Sequence, residues 1–172
     1  MTVSDQDRHY RRALGCFTTG VALITTSTSQ GLAAITVNSF TSVSLRPRLV
    51  LWCLGDSSYR YPIFSAAERW AVNVFAANQD EISSRFAKPG VPDPYDIGVE
   101  LLDGVPVLKG ALLRLACTHH ERRRVGDHLV LIGEVNDYDT LGGDGLTYFR
   151  GHYGIAPAPR TAPRFDYSEL SW

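Results

Sequence analysis

The sequence predicts a mainly β domain with a few helices, its strands forming a closed or half-closed antiparallel barrel. Three observations predict it. Apolar, β-branched runs recur along the chain, turn residues divide them at hairpin spacing, and helical patterns never alternate with strands as regular βαβ units require. Closure removes the exposed edges that long strands otherwise present. At 172 residues the chain fits one domain, with a core over roughly residues 10–155 and a C-terminal arm over 156–172. A domain of this size buries roughly 70% of its unfolded surface and needs no disulfide or metal to hold it.

Ser4 with Asp7 resembles a capping box, opening a first helix through about Cys16. Tyr10, Leu14 and Phe17 fall at helical spacing, which predicts that they pack this helix on the body; Gly20 is read as its end. Val21–Ser27 is strand-like, Gln30-Gly31 turns, and Leu32–Phe40 returns as the second half of a hairpin. Arg46-Pro47-Arg48 breaks the chain, and Leu49–Leu54 is apolar throughout, as a strand buried on both faces would be. Pro62 suits a helix start, with the helix reaching about Arg69, and Trp70–Ala76 reads as a strand. Asn78 with Glu81 suggests a second capping box for a helix through about Ala87. Residues 88–98 are a Pro/Gly-rich loop. Ala111–Glu121 and Leu129–Asp139 are two long strands joined across Arg-Arg-Arg-Val-Gly-Asp, and Leu146–Phe149 is a last short strand. The expectation is about six or seven strands and two or three helices.

Composition excludes several classes. A formal net charge of -1 gives no general attraction to nucleic acid or to a membrane surface. The run Arg122-Arg123-Arg124 is diluted by Glu121 and Asp127, and reads as a solvated strand end. Cys16, Cys53 and Cys117 lie far apart without a CxxC, which predicts reduced thiols, and the polar start lacks a signal-peptide core; a cytoplasmic location is expected. His119 and His120, adjacent in a strand, face opposite sides and cannot share an ion, so no metal site is expected with His128. No GxGxxG, Walker A, GxSxG or HExxH sequence occurs. The aromatic tail Phe165–Trp172 has little local structure to cover it, which suggests an arm crossing onto a second subunit of a homodimer.

What remains is an ordered set of segments: Phe17–Thr26, Thr36–Pro47, Leu49–Ser58, Ala71–Gln79, Ser84–Lys88, Leu115–Val135 and Tyr148–Gly154. With Asn38-Ser39-Phe40, Gly126-Asp127-His128 and the final aromatic-arginine segment in this order, the chain resembles the flavin reductase family. These are the small reductase components that supply reduced flavin to a separate monooxygenase. The resemblance implies a Greek-key split β-barrel, usually homodimeric. It also implies FMN or FAD with NADH (or NADPH) as reductant, and a partner monooxygenase.

A flavin ring needs a flat apolar slot with a few donors, and its phosphate needs N–H groups, hydroxyls or a cation. Strand alternation puts Thr36, Asn38 and Phe40 on one face of a polar stretch set between apolar runs. The resemblance implies that Thr36, Val37, Asn38, Ser39, Phe40 and Thr41, with Cys53 and Leu54, form the flavin site. It places the loop Asp56-Ser57-Ser58 and the stretch Arg85-Phe86-Ala87-Lys88 near the ribityl chain and phosphate, and Cys53 serves through backbone and shape. His128 is implied beside the nicotinamide as the catalytic, positioning group, with Tyr148, Arg150 and Tyr153 on the same NADH side. The alternative is a flavin-binding electron carrier of the same barrel, which would need no nicotinamide subsite. An oxidase of the pyridoxamine-phosphate type would show a more basic phosphate site.

Overall fold

The computed structural model describes residues 4–89 and 97–159. Its strands, in chain order, are β1 (Thr19–Gly20), β2 (Ala22–Thr28), β3 (Gly31–Val37), β4 (Thr41–Leu45), β5 (Arg48–Gly55) and β6 (Arg69–Val74). They continue as β7 (Val99–Leu102), β8 (Val105–Leu108), β9 (Leu113–Val125), β10 (His128–Thr140), β11 (Gly145–Phe149) and β12 (His152–Ala156). The helices are α1 (Asp5–Leu14), α2 (Tyr61–Phe64) and α3 (Asp80–Phe86). Strands outnumber the expectation because β1, β4, β7, β8 and β12 are five residues or shorter. Pieces of that length carry too few alternating positions to stand out from loops.

Seven strands form one antiparallel sheet in the order β3-β2-β6-β9-β10-β5-β4. Its two edges, β3 and β4, are separated in sequence by residues 38–40 alone. Four peptide units span at most about 14 Å, whereas seven flat strands would be about 29 Å across. The sheet is therefore rolled until its edges approach. No hydrogen-bonded ladder joins β3 to β4 among the described residues. The barrel is half-closed, and its split lies at Asn38-Ser39-Phe40.

Inside the roll sit Trp52, Trp70 and Phe64, each 0% exposed, with Ile24, Val72 and Leu131 around them. Trp52 meets Phe64 and Trp70 edge-on, at 5.5 and 6.0 Å between ring centres. A second apolar cluster, including Leu23, Phe75, Phe86 and Leu146, covers the outer face of β2 beneath α3 and β11. Strand β2 is thus buried on both faces.

Several expectations are corrected. The Ser4–Asp7 capping box is present, but α1 ends at Gly15, not Gly20. Tyr10, Leu14 and Phe17 are 65%, 55% and 77% exposed; α1 contains no buried residue, so its apolar stripe has no cover among the described residues. Strand β5 alternates, burying Val50, Trp52 and Leu54 while Leu49, Leu51 and Cys53 are half-buried, because only its inner face meets the core. Helix α2 is a single turn. The second capping box is not at Asn78: Gln79 Oε1 accepts from the Ala76 N–H at 3.0 Å, and α3 starts one residue later. Strand β12, not β11, is last. The Arg122–Arg124 run does lie at a largely exposed strand end, the last stretch of β9 before its turn, where Arg122 pairs with Glu68 at 2.9 Å and Arg124 with Asp56 at 2.5 Å. Most of the 88–98 loop and of the C-terminal arm lies outside the described residues.

Candidate active site

A cavity of about 180 Å³ opens beside the split, walled by Val21, Thr36, Val37, Asn38, Ala87, Tyr148 and Tyr153. A neighbouring hollow of about 210 Å³ lies under Phe40 and shares Val21. Four segments build this wall, Val21 coming from the junction of β1 and β2. Strand β3 supplies Thr36 and Val37, α3 delivers Ala87 as its C-cap, and the β11–β12 hairpin contributes the tyrosines. Tyr148 pairs with Tyr153 across that hairpin, the rings 5.5 Å apart and tilted by 62°.

Ser83, 0% exposed, locks these pieces together. Thr36 Oγ1 donates to the Ser83 carbonyl at 2.9 Å, and Ser83 Oγ shares a hydrogen bond with the Tyr153 hydroxyl at 2.8 Å. The split itself is stapled by Ser39: its hydroxyl accepts from the Cys53 N–H at 3.0 Å and reaches the Cys53 carbonyl at 3.4 Å. Two of the hydroxyls expected to face a ligand are therefore engaged within the protein. Asn38 is different. It is exposed at the cavity wall, and its amide makes no hydrogen bond among the described residues.

Leu54 and Phe86 require correction. Each is 1% exposed and packed in a core cluster, so neither offers a side chain to a ligand. Cys53 is half-buried; burial pushes its thiol up and the Ser39 hydroxyl partly offsets this, which keeps it uncharged at neutral pH. Thr41 is exposed on β4. Arg85 lies over the Phe86 ring at 5.5 Å in the last turn of α3, and Lys88 is exposed just past it; both are sequence neighbours of Ala87 in the cavity wall. Ser57 is exposed, while Ser58 Oγ accepts from the Arg60 N–H at 3.2 Å and shapes its own loop.

His128 stands elsewhere on the rim. It opens β10 at the tip of the β9–β10 hairpin, opposite Gly55, and does not line the cavity. Asp127 Oδ1 is 2.7 Å from His128 Nδ1, and that bond is the main cause holding the Asp127 carboxyl below its ordinary range. An ionised carboxylate only accepts, so Nδ1 donates and Nε2 is left toward Gly55. The backbone ties this tip to the β5 end, the Asp56 N–H donating to the Asp127 carbonyl at 2.9 Å. Arg150 occupies the β11–β12 turn at φ 49, with its guanidinium 5.2 Å from the Phe149 ring centre.

The cavity suits an isoalloxazine edge: a largely apolar wall of valines and tyrosines carries one amide with its hydrogen bonds to spare. The flavin reductase like domain model matches residues 14–157. The chain belongs to this flavin reductase-like family. It is 43% identical over 151 residues to the FMN reductase (NADH) SmoA of Agrobacterium fabrum, covering 87% of this chain and 86% of that protein. Over 156 residues it is 35% identical to the reductase component of the flavin-dependent trigonelline monooxygenase of Acinetobacter baylyi. That match covers 89% of this chain and 50% of the relative, so the chain spans half the relative's length. The solved NADH:FAD oxidoreductase SgcE6 of Streptomyces globisporus, with NAD and FAD fragments, superposes with a TM-score of 0.81 at 33% identity, covering 96% of this chain and 99% of that one.

In this flavin reductase-like chain, the sequence did not single out Val21 in the cavity wall or Ser83 behind it, whereas Ala87 lies in the wall within the Arg85–Lys88 stretch that the resemblance implies. Both sit in ordinary strand or helix patterns, and only the rolling of the sheet brings Val21 to the wall and Ser83 against Thr36 and Tyr153.

Proposed function

We propose that the protein is an NADH-dependent flavin reductase, taking FMN or FAD as acceptor and handing the reduced flavin to a partner monooxygenase. Bound at the cavity, the flavin supplies N5, which accepts a hydride from nicotinamide C4. The observation that carries this reading is the meeting of Asn38 with Tyr148 and Tyr153 around one cavity. Segments from either end of the chain, matched to flavin and to NADH, there share a wall.

The protein's own residues act by placement. Hydride transfer needs no protein acid or base, only reacting atoms about 3–3.5 Å apart and aligned. Asn38 addresses the ring edge, Tyr148 and Tyr153 confine the nicotinamide, and His128, fixed by Asp127, orients its carboxamide from the rim. Few strong contacts to the flavin suit release after reduction. The named activities of relatives, NADH-dependent toward FMN or FAD, support this reading over a non-catalytic electron carrier.

One domain spans the described residues in this account, and the working form is a homodimer. The half-buried outer faces of β5 and β10 (Leu49, Leu51, Val130 and Ile132) and the bare stripe of α1 support a second copy as cover. Three free thiols suit a reducing, cytoplasmic setting, and no described helix is long and apolar enough to cross a membrane. The test is direct: purified protein with NADH should consume the nicotinamide absorbance band only when FMN or FAD is added. No turnover with either flavin refutes the proposal.

A further inference from the structure

A second hollow, about 660 Å³, lies where the end of α1 meets the β11–β12 turn, and its wall includes Arg11, Arg12, Cys16, Tyr148 and Arg150. The turn is docked on the helix end. The Arg150 N–H donates to the Gly15 carbonyl at 2.9 Å, and Arg150 Nη2 lies 3.6 Å from Cys16 Sγ. Three arginines, one of them 134 residues along from Cys16, thus line one concave surface. None of the three has a carboxylate partner among the described residues, although Arg8 on the same helix pairs with Asp5.

Basic residues in a last helical turn complement the helix dipole, which accounts for Arg11 and Arg12 as far as α1 is concerned. The dipole does not account for Arg150, brought by another element to the same hollow. Arg11 feels the nearby carboxylates of Asp7 and Asp127 without pairing to either, and an anion that bridges the three arginines relieves the repulsion left between them. Tyr148 belongs to both this hollow and the cavity at Asn38, so an anion here sits one ring away from the reacting groups. The charge of Arg11 is felt at the other end of the site too, since it adds to the effect of His128 in holding the Asp127 carboxyl low.

We propose that Arg11, Arg12 and Arg150 form a diphosphate subsite for a dinucleotide. The inference rests on the hydride-transfer reading for what the dinucleotide is doing there. The diphosphate belongs either to NADH or to FAD, and the guanidinium forks recognise both alike. FMN and reduced nicotinamide mononucleotide lack it.

The experiment compares wild type, Arg11→Gln/Arg12→Gln, and Arg8→Gln as a control of charge on the same helix. Binding of ADP-ribose, which carries the diphosphate and no redox ring, is measured by calorimetry. Its Kd should rise about tenfold in the double variant and stay within twofold in the control. Exposed cation–phosphate contacts are screened, which keeps the expected effect to that size. In turnover with FMN, a KM raised for NADH but not for reduced nicotinamide mononucleotide assigns the subsite to the reductant. A KM raised for FAD but not for FMN assigns it to the acceptor. Equal ADP-ribose affinity in the double variant and the control overturns the proposal, as do shifts shared by the ligands with and without the diphosphate. Absent turnover with intact ADP-ribose discrimination would instead sink the hydride-transfer reading and leave the subsite standing.

Discussion

Replacing Ser39 with alanine removes the staple across the split while leaving both core clusters untouched. The hydroxyl accepts one half-buried N–H bond at 3.0 Å from Cys53; its second contact, at 3.4 Å, is too long to add much. Losing a bond of this kind costs about 1 kcal/mol, and water reaches part of the freed Cys53 N–H, which keeps the figure near the low end. For a chain of this size that lowers Tm by about 2–4 °C. The functional effect is more selective. Ser39 anchors the three residues that carry Asn38, and about 1 kcal/mol of lost ordering is about a fivefold rise in the flavin KM. The NADH KM at saturating flavin should stay within twofold. Ser42→Ala is the matched control, an exposed serine on β4 that makes no side-chain hydrogen bond among the described residues. Thermal melts and steady-state NADH oxidation at varied FMN check both effects. Identical Tm and flavin KM in the two variants would refute the assignment of Ser39 as the staple.

Three further expectations use the same assays. His128→Ala should raise the NADH KM about tenfold or more and change flavin affinity little, because the residue stands at the rim and off the flavin cavity; an unchanged NADH dependence removes it from the mechanism. Gly133→Ala should cost about 2–3 kcal/mol and depress Tm by about 5–10 °C. A methyl there would lie 2.5 Å from Trp70 Cζ2, and Trp70 is boxed in against Trp52; a melt like that of wild type would contradict the packing. Asp139 accepts from Arg114 Nε at 2.6 Å, and that bond holds its carboxyl below the ordinary 3.8. A depressed carboxyl contributes stability fully above its ordinary value and loses it as pH falls through the folded one. Asp139→Asn should therefore lower stability at neutral pH and flatten the acid limb below about pH 4. An unaltered limb would rule out the linkage.

Much of the fold was legible because local chemistry and global packing agree in it. The Ser4 cap, the turn at Gln30-Gly31 and the long β9–β10 hairpin each rest on neighbours in sequence. What could not be read depends on the rolling of the sheet. Leu49–Leu54 is apolar at every position, yet only alternate residues reach the core, since composition does not say which face is covered. The site behaves likewise. Thr36-Val37-Asn38-Ser39 was recognisable as the polar end of an apolar strand, but its hydroxyls serve Ser83 and Cys53 and leave Asn38 as the spare amide. Leu54 and Phe86 matched the family order while facing the core. The guanidinium groups on α1 carry no motif, and only the docking of the β11–β12 turn reveals them.

The proposed hydride transfer requires a nicotinamide held by one face against the flavin at the Asn38–Tyr148–Tyr153 cavity. Anaerobic single-turnover reduction with NADH deuterated at one or the other face of C4 tests it most directly. Flavin bleaching slowed by deuterium on one face only is the predicted result. Bleaching slowed equally from both faces would contradict it.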